Sequence, residues 1–284
     1  MKLTLASAQL YIPDSAPEEE ALARTTHLAI AAHQDDLEIM AVNGILEAFS
    51  HHNKWFTGVV MTNGAGSPRS GIYSAYSDEE MRQIRAQEQK KAAFLGDYAA
   101  QFLLDYPSPA VKDPQNDAPV ADLVAILRAT RPEIVYTHNP ADKHDTHIGV
   151  TLKTLAAIRK LPRNERPRKL YGGEVWRDLD WMLDEDKVAF DVSSYENMQM
   201  ALMAVFDSQV SGGKRYDLAT MGRRRANATY FAAHQTDDAD YMAFAMDLTP
   251  LIQDDALDIS AFVLAHIQRF ADDVSDRLMR MSGS

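Results

Sequence analysis

The sequence predicts a single α/β domain with a Rossmann-like architecture, in which helices flank a mostly parallel β-sheet. Short apolar runs typical of buried strands alternate with longer segments whose apolar residues recur at helical spacing. Hydrophobic residues make up 46% of the 284 positions, which is enough to form one large core. The chain contains no internal repeat and no linker long enough to separate a second domain.

The strands are predicted from short apolar runs that end at polar or turn-forming residues. The first, HLAIAA at 27–32, is almost entirely apolar, as expected for a strand covered on both faces. The second, WFTGVVMT at 55–62, ends at a glycine-rich turn that contains Gly64. Further strands are predicted at 101–105, 133–137 and 169–175, with an edge strand at 188–192.

The helices are predicted from apolar residues spaced three or four positions apart. Residues 37–49 follow the first strand, and residues 78–95 form a charged amphipathic segment that ends at Gly96. Two further helices are predicted at 122–129 and 148–158. Beyond Ser194 the pattern is mainly helical, at 196–206, 223–233 and 259–273. We therefore expect a core at about residues 26–210 and a helical C-terminal extension at 211–284, within one domain spanning 1–284.

Composition narrows the classes of function. The net charge of −12 argues against binding to nucleic acids and to anionic membranes, which both need a basic surface. The absence of cysteine excludes disulfides and thiolate metal sites, so a metal would need His, Asp or Glu ligands. The apolar run at 3–6 is too short for a signal peptide, and no later run approaches the length of a membrane span. We expect a cytoplasmic protein with a small-molecule substrate.

Unusual polar residues follow the ends of several predicted strands. His33, Asp35 and Asp36 follow the first strand, and the segment 138–147, rich in His and Asp, follows the strand at 133–137. Gly64 and Asp105 end two other strands. Because ligands bind at the carboxyl ends of the strands in open α/β sheets, these residues are predicted to share one edge.

A metal site is predicted from His33, Asp36 and His147. His33 and Asp36 are three residues apart across a strand-to-helix turn, and His147 lies near the start of the helix after the strand at 133–137. Two imidazoles and one carboxylate leave a coordination position open for water, as a catalytic site requires. Asp35 must point differently from Asp36 and is then placed to accept a proton from that water. The alternative is that one of these acids caps the following helix, which would leave the histidines unexplained.

Two motifs resemble those of the PIG-L/LmbE-like N-acetylglucosaminyl deacetylases. His33-Gln34-Asp35-Asp36 is similar to the family's His-Pro-Asp-Asp motif, and Asp142-Lys143-His144-Asp145-Thr146-His147 is similar to its Asp-x-His-Pro-Asp-His motif. The resemblance covers about residues 26–210. Weaker similarities are Thr62-Asn63-Gly64, Arg85-Ala86-Gln87-Glu88 followed by Leu95-Gly96, and Phe206-Asp207-Ser208-Gln209.

The resemblance implies a zinc-dependent N-deacetylase, with Fe²⁺ as the alternative metal. It implies that His33, Asp36 and His147 bind the metal, that Asp35 is the general base, and that His144 stabilises the oxyanion or protonates the leaving amine. Thr146 stands where the family usually has Asp, so Asp142 or Asp145 would have to keep His144 protonated. Asp142 also fits the role of orienting a ligand histidine. His138 fits a packing role at least as well as ligation.

Arg85, Asp105 and Gly64 are predicted to bind a small N-acetylglucosamine-type substrate that is neutral or singly charged. Arg85 pairing with Glu88 on its own helix, and Asp105 acting as an ordinary turn residue, are the alternatives. Other candidate functions are a different metal-dependent amidase, a phosphoesterase, and a non-catalytic carbohydrate-binding protein of the same fold. A phosphoesterase would usually need more acids for a second metal. The sequence leaves homo-oligomerisation open.

Overall fold

Within residues 1–283, which the computed structural model describes, eight strands form one sheet whose five central strands run parallel. Across the sheet the order is β1-β4-β3-β2-β5-β6-β8-β7. The strands β4, β3, β2, β5 and β6 are parallel, whereas β1 pairs antiparallel with β4, and β8 pairs antiparallel with both β6 and β7. The predicted mostly parallel α/β fold is therefore confirmed. The strands are β1 (Gln9–Tyr11), β2 (His27–Ala31), β3 (Phe56–Thr62), β4 (Ala100–Tyr106), β5 (Ile134–His138), β6 (Lys169–Gly173), β7 (Lys187–Asp191) and β8 (Met242–Asp247).

The helices cover both faces of the sheet. Their bounds are α1 (Glu18–Ala23), α2 (Asp36–Met40), α3 (Val42–Ser50), α4 (Asp78–Leu95), α5 (Ser108–Lys112), α6 (Ala118–Thr130), α7 (Asp145–Arg159), α8 (Glu196–Ala204), α9 (Asp207–Val210), α10 (Tyr216–Tyr230), α11 (Thr249–Gln253) and α12 (Ile259–Ser282). The helix predicted at 37–49 is thus divided into α2 and α3. No helix in this described part of the chain is long and apolar enough to cross a bilayer.

Strand β2 shows why the central strands are apolar along their whole length. All five of its residues are buried. Leu28 and Ile30 pack into a core cluster that includes residues of α6 and α7. Ala29 and Ala31 point to the opposite face and pack against residues of α2 and α3. Alternate side chains of one strand therefore enter two hydrophobic cores, one on each side of the sheet.

The expectation that the chain is helical beyond residue 211 needs one correction. Residues 242–247, with the sequence MAFAMD, form β8, which is inserted between β6 and β7. Alanine and methionine are strong helix formers, so local composition conceals a strand that is stabilised by burial within the sheet. The edge strand predicted at 188–192 is present as β7. Two elements that were not predicted, β1 and α1, precede residue 27.

The pairing of β2 with β5 positions the candidate site. The two strands are parallel neighbours, with His27 opposite Ile134 and Ala29 opposite Tyr136. Their carboxyl ends therefore lie side by side, and the loops that follow lead into α2 and α7. The two histidine- and aspartate-rich segments are brought together by this topology.

Candidate active site and metal centre

The side chains of His33, Asp36 and His147 converge on one point at this edge of the sheet. The Nδ1 atom of His33 lies 3.2 Å from Oδ2 of Asp36 and 3.2 Å from Nε2 of His147. The Asp36 Oδ2 and His147 Nε2 atoms are 3.3 Å apart. Ligands about 2.0–2.1 Å from a tetrahedral zinc ion stand roughly 3.3 Å from one another. The spacing of these three donor atoms therefore fits a single tetrahedral metal ion.

The turn after β2 is folded around Asp36. Its Oδ2 atom accepts a hydrogen bond from the backbone N–H of His33 at 2.8 Å, which holds the turn closed over three residues. Asp35, between them, adopts a left-handed conformation with φ of 97°. Neither acid uses its side chain to cap α2, so the capping alternative is wrong. As a result of this turn, the Asp35 carboxylate contacts Arg85, whereas the Asp36 carboxylate contacts His33.

Asp142 orients His147. The Nδ1 atom of His147 is 3.1 Å from Oδ2 of Asp142, which leaves Nε2 facing the other two donors. The same carboxylate oxygen accepts the backbone N–H of Trp176 at 3.2 Å, and Oδ1 accepts the backbone N–H groups of Lys143 and His144. A carboxylate held in this way fixes both the tautomer and the direction of a ligand histidine.

The charges at this point favour a cation. Burial opposes ionisation of Asp36, but the neighbouring imidazoles, His147 foremost, outweigh it and lower the pKa of this carboxyl well below its usual range. Burial alone would lower the pKa of His147, yet Asp36 and Asp142 together raise it. Ionised carboxylates around a buried imidazole attract a positive charge, which a proton or a metal ion can supply.

Asp35 is a buried carboxyl beside the donor atoms. Burial raises its pKa to about 7, an effect that the Arg85 guanidinium opposes and the nearby charge of Asp36 reinforces. Nη2 of Arg85 lies 3.3 Å from Oδ2 of Asp35 and donates to the backbone carbonyl of Gln34. The pairing with Glu88 on the same helix is present, with 4.0 Å between Arg85 Nη1 and Glu88 Oε2. Because only 2% of Arg85 is exposed, this pair is buried and does not have the plain surface role that was considered.

These residues line a cavity of about 360 Å³ at the strand ends. Gly64 belongs to its wall with φ of +68°, and a Cβ atom there would lie 2.5 Å from Oε1 of Gln34, so this position favours glycine. His33, Asp35, Asp36, Arg85, His144 and Thr146 also line it. The remaining lining residues were not predicted as site residues, although Asn63 and Gln209 lie in the weaker motifs. They are Asn63, Ala65, Gly66, Ser67, Pro68, Ser108, Lys112, Trp176, Gln209, Lys214 and Tyr216.

Trp176 is the lining residue that a sequence signal could have identified. It follows β6, the parallel neighbour of β5, so its position after a strand end fits the same edge. Tyr216 begins α10 in the C-terminal region, and no local pattern relates it to the strand ends. Its contact with this cavity depends on long-range packing.

His144 lies in the cavity wall as a neutral side chain. Its Nδ1 atom accepts the backbone N–H of Thr146 at 3.3 Å, so the proton of the neutral ring is carried by Nε2. Burial, followed by the neighbouring imidazoles of His147 and His33, lowers the pKa of His144 to about 4. The Asp145 side chain is exposed, and Asp142 contacts only the His144 backbone. The lowered pKa and these contacts favour a neutral His144 ring over the predicted carboxylate-supported cation.

Asp105 is not brought into the donor set, whereas His138 lies beside it, with 3.6 Å between its Nε2 and Oδ2 of Asp36. The Asp105 carboxylate binds Arg82, with 2.7 Å between its Oδ1 and the guanidinium Nε, and it lines a separate cavity. His138 is fully buried, and its ring stacks on that of His147 with centroids 3.9 Å apart. Its Nε2 atom accepts the backbone N–H of Ala32 at 2.9 Å, so that lone pair is already used. A packing role fits His138 better than ligation.

Comparison with known proteins agrees with this geometry. Residues 28–158, which contain both motifs, match the family model described as PIG-L: GlcNAc-PI de-N-acetylase. No curated protein sequence matches the chain. The solved structure of N,N'-diacetylchitobiose deacetylase from Pyrococcus horikoshii is similar, with a TM-score of 0.62, 17% identity and coverage of 81% of this chain and 86% of that one.

Two further solved structures share the fold. The A40926 pseudoaglycone deacetylase Dbv21 has a TM-score of 0.57 and 17% identity, covering 79% of this chain and 97% of its own. The 4-carboxy-2-hydroxymuconate hydratase GalB from Pseudomonas putida has a TM-score of 0.60 and 15% identity. The match covers 79% of this chain and 96% of the hydratase. At these identities the structures establish the fold alone. Residues 28–158 thus form a domain that matches the PIG-L family, which includes both of the motifs quoted above.

Proposed function

We propose that the protein is a metal-dependent N-deacetylase that hydrolyses the acetamide of an N-acetylglucosamine-type amino sugar, or of its conjugate, to acetate and a free amine. The observation that carries this proposal is the convergence of three donor atoms, 3.2–3.3 Å apart, beside the buried carboxyl of Asp35. The family description and the deacetylase activity in the name of the Pyrococcus protein support the same reaction class.

Zinc is the proposed metal, with Fe²⁺ as the alternative. His33, Asp36 and His147 would hold it, and Asp142 would keep His147 correctly oriented. When bound, such a metal supplies Lewis acidity, which lowers the pKa of water to about 7 and polarises a carbonyl oxygen. Imidazole and carboxylate ligands without thiolate suit a site that keeps one position open.

Asp35 is the proposed general base. With a pKa of about 7, it is substantially deprotonated at neutral pH and still a strong enough base to take a proton from the attacking water. The same carboxyl then delivers that proton to the departing amine. Arg85 donates to Oδ2 of this carboxylate, and Asp35 lines the cavity.

Neutral His144 is the proposed donor to the developing oxyanion. Its Nδ1 atom is occupied by the Thr146 N–H, so Nε2–H is available for donation. A donor of this kind contributes about 3–4 kcal/mol to the transition state in comparable enzymes. This role needs no carboxylate behind the ring, and we leave Asp145 out of the proposal.

The cavity suits a small amino sugar. Its volume of about 360 Å³ lies within the range of roughly 300–1,000 Å³ found for small-molecule sites. Gly64 allows the backbone of its turn to approach a bound ring, and Arg85 closes the wall beside it. Asp105 is excluded from the proposed substrate contacts because Arg82 occupies its carboxylate. The cytoplasmic location and any homo-oligomer stay predictions.

Metal analysis combined with acetate release tests the proposal. Purified protein reconstituted with Zn²⁺ or Fe²⁺ is offered N-acetylglucosamine, its phosphate, its disaccharide and simple glycosides. We expect acetate from at least one of them, and loss of bound metal in His33→Ala, Asp36→Ala and His147→Ala. Stoichiometric metal in all three variants would overturn the donor set. Release of acetate only from acetylated lysine, or hydrolysis only of a phosphoester, would overturn the substrate class.

A metal-dependent hydratase is the second candidate. The observation in its favour is the shared fold with the hydratase GalB. Addition of water to a carbon–carbon double bond also requires an activated water and a base, which the same residues would provide. The amino-sugar panel separates the two functions, because a hydratase releases no acetate from any amide.

A further inference from the structure

A second cavity lies directly behind the aromatic wall of the proposed active site. Its volume is about 180 Å³, and it shares Trp176 and Tyr216 with the active-site cavity. The two rings meet nearly perpendicular, with centroids 6.1 Å apart. No step of the proposed reaction uses this second cavity.

The cavity is lined mainly by apolar groups. Ile39 and Met40 of α2, Val175 after β6 and Phe244 of β8 form much of its surface, and Ala219 of α10 lies at an exposed position on it. Such a surface favours burial of an apolar ligand group over a polar one.

The charged groups that border the cavity are already satisfied. Both carboxylate oxygens of Glu174 accept hydrogen bonds, from the backbone N–H groups of Leu179 and Phe244 and from the side chain of Asn227. Arg224 donates to the side chain of Gln199 and to backbone carbonyl groups of α2. Arg223, the third charged residue of the lining, is half-buried and donates from Nη1 to the backbone carbonyl of Val175. All three charged side chains are therefore hydrogen-bonded within the protein.

The cavity is fixed in position relative to the reacting centre. The backbone N–H of Trp176 binds the Asp142 carboxylate, which also orients His147. The Trp176 ring lies nearly parallel to that of His144, with centroids 6.3 Å apart. Met40 ends the short helix α2, whose first residue is Asp36. A substituent on a substrate bound at the metal would thus meet the cavity immediately beyond Trp176.

We propose that this cavity is a subsite for an apolar substituent of the amide substrate, either a single ring or a short alkyl chain. A cavity of about 150 Å³ in another protein holds one benzene molecule, so about 180 Å³ is sufficient for a group of this size. The proposal rests on the proposed N-deacetylase function. The substituent belongs either to the acyl group or to the glycosidic side of the sugar, and the two sources are separated by experiment.

The kinetic test uses two substrate series. One varies the glycosidic side with the phenyl and hexyl β-glycosides of N-acetylglucosamine, and the other varies the acyl side with N-hexanoylglucosamine. We expect kcat/KM in one series to exceed that of N-acetylglucosamine by at least about tenfold, because a ring-sized apolar group leaves water. Ala219→Phe should remove this gain without altering the rate with N-acetylglucosamine. The matched control is Leu218→Phe, since Leu218 is 61% exposed on the same helix and does not line the cavity.

A binding test separates failure of the subsite from failure of the proposed function. Benzyl alcohol is titrated into the protein and followed by tryptophan fluorescence, because Trp176 forms one wall. Saturable binding that Ala219→Phe abolishes and Leu218→Phe retains supports the subsite even if no amide is hydrolysed. Equal binding by both variants, or no gain in either substrate series when N-acetylglucosamine itself is hydrolysed, would overturn it.

Discussion

The Nδ1 atom of His147 lies 3.1 Å from Oδ2 of Asp142, and this contact determines which nitrogen of His147 faces His33 and Asp36. The Asp142 carboxylate also receives the backbone N–H of Trp176 and is therefore held in place independently of the histidine. We expect Asp142→Asn to weaken zinc binding about 10–100-fold, as observed when such carboxylates are removed elsewhere. Competition with a fluorescent chelator measures the change.

The matched control for Asp142→Asn is Asp145→Asn. Asp145 lies three residues further along the same segment, but its side chain is exposed. Zinc affinity of the control should equal that of the parent protein. Equal affinity in the Asp142 variant would mean that this carboxylate does not support the metal site.

Strand order explains which site residues were predictable. Segments that follow β2 and β5 meet because these strands are neighbours, so the convergence of His33, Asp36 and His147 followed from the β-α alternation. Asp105 is the penultimate residue of β4, which β3 separates from β2. The rule for strand ends identifies the edge of the sheet, but it specifies neither the distance along that edge nor the direction of a side chain. The Asp105 carboxylate forms an ion pair with Arg82 and does not face the candidate site.

Other features of the fold and the site depend on long-range contacts, which local sequence patterns do not predict. Arg85 belongs to a helix rich in charge, where surface pairing is the usual outcome, yet packing buries it against Asp35. The sequence of β8 favours a helix by propensity, and only its place between β6 and β7 makes it a strand. Tyr216 reaches the cavity through the packing of α10, far along the chain from the metal motifs.

Asp35→Asn should separate chemistry from metal binding. The amide keeps the shape of the carboxyl but cannot accept a proton from water, so we expect kcat to fall by about 10²–10⁴-fold while metal content is unchanged. Asp105→Asn is the control, because its carboxylate binds Arg82 and lines a different cavity. Deacetylation by Asp35→Asn at close to the parental rate would rule out Asp35 as the base.

Arg85 should control the pH at which the enzyme becomes active. A general base works when deprotonated, so kcat/KM should rise with pH through the Asp35 pKa of about 7. The Arg85 guanidinium lowers that pKa, against the effect of burial. Arg85→Gln should therefore shift the midpoint to higher pH, whereas Arg85→Lys, which keeps a positive charge, should shift it less. A midpoint that stays in place in Arg85→Gln would contradict the pairing with Asp35.

His144 should affect kcat far more than KM. If its Nε2–H donates to the oxyanion, the interaction exists only in the transition state, and His144→Ala should lower kcat about 10²–10³-fold with little change in KM. His144→Gln, which retains a donor amide, should recover part of the loss. An equal loss in both variants would argue for a structural role, and a large rise in KM alone would indicate ground-state binding.

Glu38 should make folding stability fall as the pH rises. Its side chain is 1% exposed, and its Oε1 atom accepts hydrogen bonds from Gln89 and Tyr98, both at 2.8 Å. Burial raises its pKa to about 8, although these hydrogen bonds partly oppose the effect. Below the pKa of the unfolded chain, near 4.5, the carboxyl is protonated in both states and ionisation does not destabilise folding. Between that value and about 8, the unfolded state ionises while the native state stays protonated, so stability declines.

Glu38→Gln should remove this decline. The glutamine Oε1 can accept the same two hydrogen bonds, and its amide nitrogen replaces Oε2, which has no hydrogen-bond partner within the described chain. Urea unfolding between about pH 5 and pH 8 should show the variant gaining stability over the parent, by up to about 1.4 kcal/mol per pH unit. The control is Glu165→Gln, the same exchange at an exposed position. A constant difference for Glu38→Gln would show that Glu38 is ionised in the native protein, with its charge satisfied by the neighbouring amide and hydroxyl groups.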